Sequence, residues 1–98
     1  MAIDRVLLLK VKNSIRISHT ALDEDIQDTI SACLTDLQVC GIAAGAEDPL
    51  ILNAIKLYCK ASYTDDPGKA ARYQAGYDAL KSCLQMAEGY GWEESSDE

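Results

Sequence analysis

The chain has 98 residues, a formal net charge of −7 and 48% hydrophobic residues, with no Phe. This length fits one domain that can fold alone around a modest core. The acid excess has the wrong sign for a protein that grips nucleic acid by neutralising phosphates, and no apolar run approaches the length of a membrane span. Because Ala, Leu and Ile supply most of the apolar residues, the composition favours helices over strands.

The first predicted element is a helix over residues 3–13, with an apolar and a basic face. Its apolar positions are Ile3, Val6, Leu7, Leu9 and Val11, and its basic positions are Arg5, Lys10 and Lys12. The run at 6–9 also suits a short strand, so periodicity leaves both structures open. Ile15 and Ile17 then alternate with polar residues, which predicts an extended link whose isoleucines close the core from the side.

The best-marked element is a second helix over residues 20–41. Thr20 and Asp23 have the spacing of a capping box, and Gly41 suits the left-handed turn that ends a helix, with Ile42 folding back on the last turn. An apolar stripe at steps of three and four lies between them: Leu22, Ile26, Ile30, Cys33, Leu34, Leu37 and Cys40. Residues 20–48 hold seven acids and neither Lys nor Arg, so the other face of this helix is acidic.

Two further helices are predicted after a short loop at residues 43–47. Asp48 is the expected N-cap of the third helix and Pro49 its first residue. Its apolar residues cover more than one face, as in a helix that is central in its bundle or shared with another subunit. A turn cluster at 64–68 precedes the fourth helix, from about residue 68 to Met86. Tyr73 and Tyr77 lie on its apolar face, and we expect them in the core with hydrated hydroxyls.

Together these patterns predict an all-α protein, a small four-helix bundle with short loops and an acidic C-terminal tail. Residues 1–88 are the expected helical domain, and residues 89–98 are the expected tail, an acidic and disordered segment. Within the tail, Tyr90 and Trp92 are the candidates for docking a partner, because large and rigid aromatic side chains commonly anchor interfaces.

Residues with chemical potential are few. The four cysteines (33, 40, 59 and 83) fall within helical patterns and lack Cys-x-x-Cys spacing, so we expect them to be reduced, buried and hydrophobe-like. There is no Gly-rich phosphate loop and no nucleophile beside a base, and His19, the only histidine, falls in a predicted surface turn. We therefore expect no enzymatic activity, no cofactor and no metal. The carboxylates of the second helix are expected to face solvent.

Five short pieces carry a family resemblance by their order and spacing: residues 10–17 (KVKNSIRI), 21–26 (ALDEDI), 48–51 (DPLI), 54–58 (AIKLY) and 77–81 (YDALK). Together they resemble the head–tail connector proteins of tailed bacteriophages, the phage DNA-packaging or QLRG-type family. The segment from Lys12 to Ile17 is the most diagnostic piece, followed by the acidic start of the second helix.

The resemblance implies a structural protein without a cofactor that forms a ring, dodecameric in the virion, beneath the portal protein. Such a ring extends the DNA channel and docks stopper or tail-completion proteins, and DNA passes through it without specific binding. The expected location is the virion neck, after synthesis in the host cytoplasm and without membrane contact. The acidic composition is compatible with a channel that repels DNA.

A ring contact joins two different faces of the subunit. The basic N-terminal segment and the acidic second helix offer such a pair, and the interface candidates are Arg5, Lys12, Arg16, Asp25, Asp28 and Asp36. The same side chains could instead pair within one subunit or face water, and the acidic face could line the DNA channel. The alternative function is an acidic binding module, a DNA mimic or small regulator, that sequesters a host protein.

Overall fold

Four α-helices account for most of the residues that the computed structural model describes, which are 5–42 and 48–86. They are α1 (Arg5–Ser14), α2 (Asp23–Val39), α3 (Pro49–Tyr63) and α4 (Pro67–Met86). The prediction of a small all-α four-helix bundle is confirmed, and the residues at 6–9 form a helix instead of a strand. The loop at 43–47 and the boundary at 88/89 lie outside the described residues.

The helices alternate in direction, and α3 packs against all three others. Contacts at both ends of the bundle show the order: Tyr63 at the end of α3 bonds to Asp25 at the start of α2, whereas Gln85 near the end of α4 donates to the carbonyl of Cys40, just after α2. The central position of α3 explains its wide apolar surface within the subunit. The buried core collects residues from every helix: Leu7, Leu8, Val11, Ile26, Ile30, Cys33, Leu34, Leu37, Ile42, Ile51, Ala54, Ile55, Cys59, Tyr77 and Leu84.

The start of α2 differs from the sequence prediction. The helix begins at Asp23, its N-cap is Leu22, and no side chain caps it. The amide of Asp23 bonds to the carbonyl of Thr20 in a turn, and the Asp23 carboxylate pairs with Lys12. The capping box predicted for Thr20 is therefore wrong, because a partner from another helix engages its second member.

The C-terminal turns of α1 and α2 have the same hydrogen-bond pattern but different residues at the left-handed position. After α2, Gly41 has φ of 84°, its amide bonds to Gln38, and the amide of Ile42 bonds to Leu37. This is the predicted Schellman turn. After α1, the amides of Arg16 and Ile17 bond to the carbonyls of Asn13 and Lys12 in the same pattern, and Arg16 has φ of 61°. An arginine therefore occupies a position that favours glycine.

The same N-terminal cap starts α3 and α4. Asp48 accepts hydrogen bonds from the amides of Leu50 and Ile51, as predicted, and Pro49 follows it. Asp66 accepts bonds at 2.9 Å and 3.3 Å from the amides of Gly68 and Lys69, and α4 begins at Pro67. This second Asp-Pro pair lies in the segment 64–68, which was predicted only as a turn. It is also a helix start, because Asp provides the acceptor and Pro needs none.

A buried ion pair ties α1 to α2. The Lys12 ammonium lies 2.7 Å from Oδ1 of Asp23, and the exposed fractions of the two side chains are 6% and 29%. Lys12 is thus almost fully enclosed, whereas Asp23 reaches water through the rest of its side chain, its Oδ1 atom being buried. Loss of either charge leaves the other without its partner, and this costs more for the more deeply buried group.

We expect Asp23→Asn to destabilise the protein more than Lys12→Met. The first change leaves a buried ammonium without a carboxylate and should lower the free energy of unfolding by about 2–3 kcal/mol. The second leaves a carboxylate with access to water and should cost about 1 kcal/mol. Urea denaturation followed by circular dichroism measures both. The control is Glu24→Gln, at an exposed neighbour in the same turn, which should change stability by less than about 0.5 kcal/mol. The reverse order of the two costs would contradict this account of the pair.

The cysteines fall into two groups. Cys33 and Cys59 are buried, as predicted, whereas Cys40 is half-buried and Cys83 is exposed. The prediction of burial is therefore wrong for Cys83. Burial raises the pKa of the Cys33 and Cys59 thiols to about 12. Both thiols consequently remain protonated near neutral pH and act as small apolar side chains.

Reaction with a thiol reagent at pH 8 should divide the cysteines in the same way. We expect Cys83 to react fast, Cys40 more slowly, and Cys33 and Cys59 only when the protein unfolds, because the thiolate is the reactive form. Absorbance with Ellman's reagent, in native buffer and in 6 M guanidinium, measures the rates. Cys83→Ser should remove the fast phase alone. A fast phase that persists in this variant would show that the core opens readily.

Candidate subunit interface

A pocket lies at the end of the bundle where α1 and α3 end and α4 begins. It has a volume of about 390 Å³, and we call it the basic pocket because its charged lining residues are Arg16, Lys60 and Lys69; Ser14, Tyr63 and Tyr73 also line it. The Lys60 ammonium lies 5.7 Å from the centre of the Tyr73 ring, within range of a cation–π contact. None of the three cations forms a salt bridge with another described residue.

The six residues predicted for a subunit interface divide evenly in the structure. Lys12, Asp25 and Asp36 each contact a side chain of the same subunit. Arg5, Arg16 and Asp28 are exposed. Pairing within the subunit, one of the alternatives left open by the sequence, therefore applies to the first three. The latter three keep their charged groups available to a neighbour.

The acidic face of α2 contributes to the interior of the subunit through Asp36. Its Oδ2 accepts a hydrogen bond at 2.7 Å from the Tyr77 hydroxyl and lies 3.0 Å from the Lys81 ammonium. The Tyr77 hydroxyl is thus bonded to a carboxylate, and the expectation of a hydrated hydroxyl is wrong at this position. The hydrogen bond from Tyr77, and then the contact with Lys81, lower the pKa of Asp36 below its ordinary value of 3.8. Burial, and then the bond to Asp36, raise the pKa of Tyr77.

This cluster joins α4 to α2 and has no feature of an acid–base catalyst. Cys33 donates to the Tyr77 hydroxyl at 3.8 Å, and the Tyr58 and Tyr77 rings meet edge to face with centroids 5.2 Å apart. Because its pKa is raised, Tyr77 retains its proton, and Asp36 remains charged near neutral pH. The arrangement is a fixed donor and acceptor network that orients two helices.

Another acidic residue of α2, Asp25, makes a contact with α3. The Tyr63 hydroxyl donates to Oδ2 of Asp25 and lies 3.5 Å from the Thr29 hydroxyl. Burial, followed by the bond to Asp25, raises the pKa of Tyr63. No local pattern predicts this contact, because Tyr63 is the last residue of α3 and its partner is set by the packing of two helices.

Several apolar side chains are exposed at the surface. On α1, Val6 is 61% and Leu9 is 50% exposed. Val39 and Met86, the last residues of α2 and α4, are each about four-fifths exposed. Val6 and Leu9 were predicted on the apolar face of α1, together with the residues that are buried. A usable signal was present: they lie three residues apart and are offset from the buried set, which gives α1 two apolar faces.

Tyr90 and Trp92 lie outside the described residues. Within residues 5–42 and 48–86, no group of three or more His, Cys, Asp or Glu side chains is placed to hold a metal ion. No helix in the same residues is both long and apolar enough to cross a membrane.

A small helical bundle with exposed charges and exposed apolar side chains is typical of subunits that assemble with other chains. A family model described as phage connector protein matches residues 7–91. The chain therefore belongs to the phage connector family, and its role is in the head–tail connection of a bacteriophage. This is a structural family, which indicates a non-enzymatic role. Searches of curated proteins and of solved structures found no match.

Asp36→Asn should reduce the loss of stability at acid pH. Because the pKa of Asp36 is lowered in the folded protein, the unfolded chain takes up a proton at higher pH than the folded chain does. The stabilising contribution is therefore complete above about pH 5 and is lost as the pH falls through the folded pKa. Urea midpoints measured from pH 7 to pH 2 should fall less steeply in Asp36→Asn than in the wild type. Asp78→Asn, at an exposed carboxylate on α4, should leave the profile unchanged, and equal slopes in all three proteins would contradict the role of Asp36.

Proposed function

We propose that this protein forms a closed ring beneath the portal protein, where it extends the DNA channel and docks a stopper or tail-completion protein. The observation that carries the proposal is membership of the phage connector family over residues 7–91. The proposed location is the neck of the virion. The proposed ring is dodecameric in the virion, and DNA slides through it without specific binding.

The exposed residues of the subunit support a ring contact between two different faces. Arg5 is the first residue of α1, Arg16 follows the helix, and both are exposed; Asp28 is exposed on α2. Their charges are complementary, and no salt bridge among the described residues uses them. Exposed charge pairs contribute little energy but choose the orientation of a contact. The exposed Val6 and Leu9 on α1 would add apolar area to the same contact.

The acidic residues of α2 then have two separate roles in the proposed assembly. Asp25 and Asp36 orient helices within the subunit, whereas Glu24 and Asp28 are exposed. The exposed acids can pair with the basic segment of a neighbour or line the channel. A lining with acidic character repels the phosphates of passing DNA and limits adhesion, which suits a conduit.

Arg16 offers a test that separates assembly from folding. Its left-handed conformation suits glycine better, so Arg16→Gly should raise the free energy of unfolding by about 0.5–1 kcal/mol. If Arg16 contacts a neighbour, the same change should weaken ring formation. Urea denaturation gives the first quantity, and native mass spectrometry of the 10.7 kDa chain, alone and with the portal protein, gives the second.

Charge reversal identifies the partner of Arg16. Arg16→Asp and Asp28→Arg should each reduce ring formation, and the double variant should restore it. Asp is suitable at position 16 because it tolerates the left-handed conformation. Arg72→Asp, at an exposed position on α4, is the matched control and should assemble normally. A double variant that remains dissociated would reject this pairing, and a wild-type chain that stays monomeric even with the portal protein would reject the ring.

A further inference from the structure

We propose that the basic pocket binds the carboxylates of the acidic segment 93–98 of a neighbouring copy. The inference rests on the proposed ring, because it supplies one contact by which each subunit would hold the next. The observations that carry it are the charge of the pocket, the conformation of Arg16 and the polarity of α4.

The pocket has the chemistry of a carboxylate site. Arg16, Lys60 and Lys69 line it, and no Asp or Glu does. Their cationic groups form no salt bridge with another described residue. Lys60 is held over the Tyr73 ring, which limits its freedom and lowers the entropy cost of binding an anion. A guanidinium and two ammonium groups around one cavity bind carboxylates through charge-assisted hydrogen bonds.

Arg16 occupies its position at a cost to the stability of the subunit. The turn after α1 has the same bonds as the turn after α2, yet φ of 61° is held by an arginine in the first and φ of 84° by Gly41 in the second. A residue with a side chain in this region costs roughly 1 kcal/mol relative to glycine. In return, the arginine contributes a cationic residue to the lining of the pocket.

The segment 93–98 (EESSDE) has the complementary chemistry, with four carboxylates in six residues. A nucleic-acid phosphate is the other anion that three cations could bind. The net charge of −7 disfavours it, because the rest of the chain repels the long polyanion of a nucleic acid. We therefore assign the pocket to carboxylates of a second copy.

The direction of α4 favours a neighbour over the subunit itself. Lys69 and Tyr73 lie at the start of α4, and the chain leaves this helix at Met86. The helix rise puts about 25 Å between Lys69 and Met86. The seven residues from Met86 to Glu93 span about 25 Å only when fully extended. Glu93 and Glu94 would have to lie stretched along their own helix to reach their own pocket, whereas a neighbouring subunit can present its pocket closer to the end of α4. A donor at one end and an acceptor at the other define a heterologous contact that can close a ring.

A donor and acceptor experiment tests the inference on full-length chains. The acceptor is ¹⁵N-labelled, keeps the pocket and carries Glu93→Gln, Glu94→Gln, Asp97→Asn and Glu98→Gln. The donor is unlabelled, keeps the acidic segment and carries Lys60→Gln and Lys69→Gln. Arg16 is unchanged in both, because it also belongs to the proposed contact with Asp28. The control donor carries both sets of changes. Heteronuclear NMR spectra of the acceptor are recorded during titration with each donor.

We expect the donor to shift the amide signals of Arg16, Lys60 and Lys69 in the acceptor. The donor should bind with an affinity about tenfold higher than that of the control donor, and this affinity should decrease at 0.5 M salt. Equal effects of donor and control would overturn the inference. So would tighter binding of inorganic phosphate or a short DNA duplex at the same signals, which would make the pocket a phosphate site. Native mass spectrometry of the wild type reports ring formation separately. A ring with no donor effect rejects only this inference, and a donor effect without a ring rejects only the proposed ring.

Discussion

Burial of α3 against the other three helices is the constraint on which the rest of the structure depends. Ile51, Ala54, Ile55 and Cys59 are enclosed, so a single helix organises the whole core. Each of the other helices covers part of α3, and each also keeps residues that are exposed to solvent. A short chain can therefore close a core and still expose charged and apolar side chains to other chains. This combination suits a connector subunit, which must fold on a small core and also hold neighbours.

Polar contacts give the helices their orientation, because apolar burial has no direction of its own. Asp23, Asp25 and Asp36 of α2 bond to α1, α3 and α4 respectively, so one acidic helix is tied to every other helix. The acid content of α2 is therefore partly structural, and only its remaining carboxylates are available for the proposed ring contact or the proposed channel. Arg16 shows the opposite relation: its backbone conformation disfavours a side chain, and this side chain lines a pocket and forms no salt bridge with another described residue.

Local signals predicted most of the secondary structure. The caps at Asp48 and Pro49 and the left-handed turn at Gly41 were readable because each depends on residues within one or two turns of helix. The apolar stripe of α2 and the wide apolar surface of α3 likewise identified the core. The order of the resembling pieces indicated the connector family. The predicted cap at Thr20 failed because Asp23, the residue it needed, pairs with a lysine from another helix.

The sequence by itself thus determined that the chain is a bundle of four helices, where most of these helices begin and end, and to which family it belongs. Only the tertiary structure decided which acids are internal, that Cys83 and Val6 are exposed, and that Arg16, Lys60 and Lys69 share one pocket. The physical reason is the distance along the chain over which each interaction acts. Caps and periodicity act within a few residues, whereas the partner of a charge and the exposure of an apolar side chain depend on how distant helices pack.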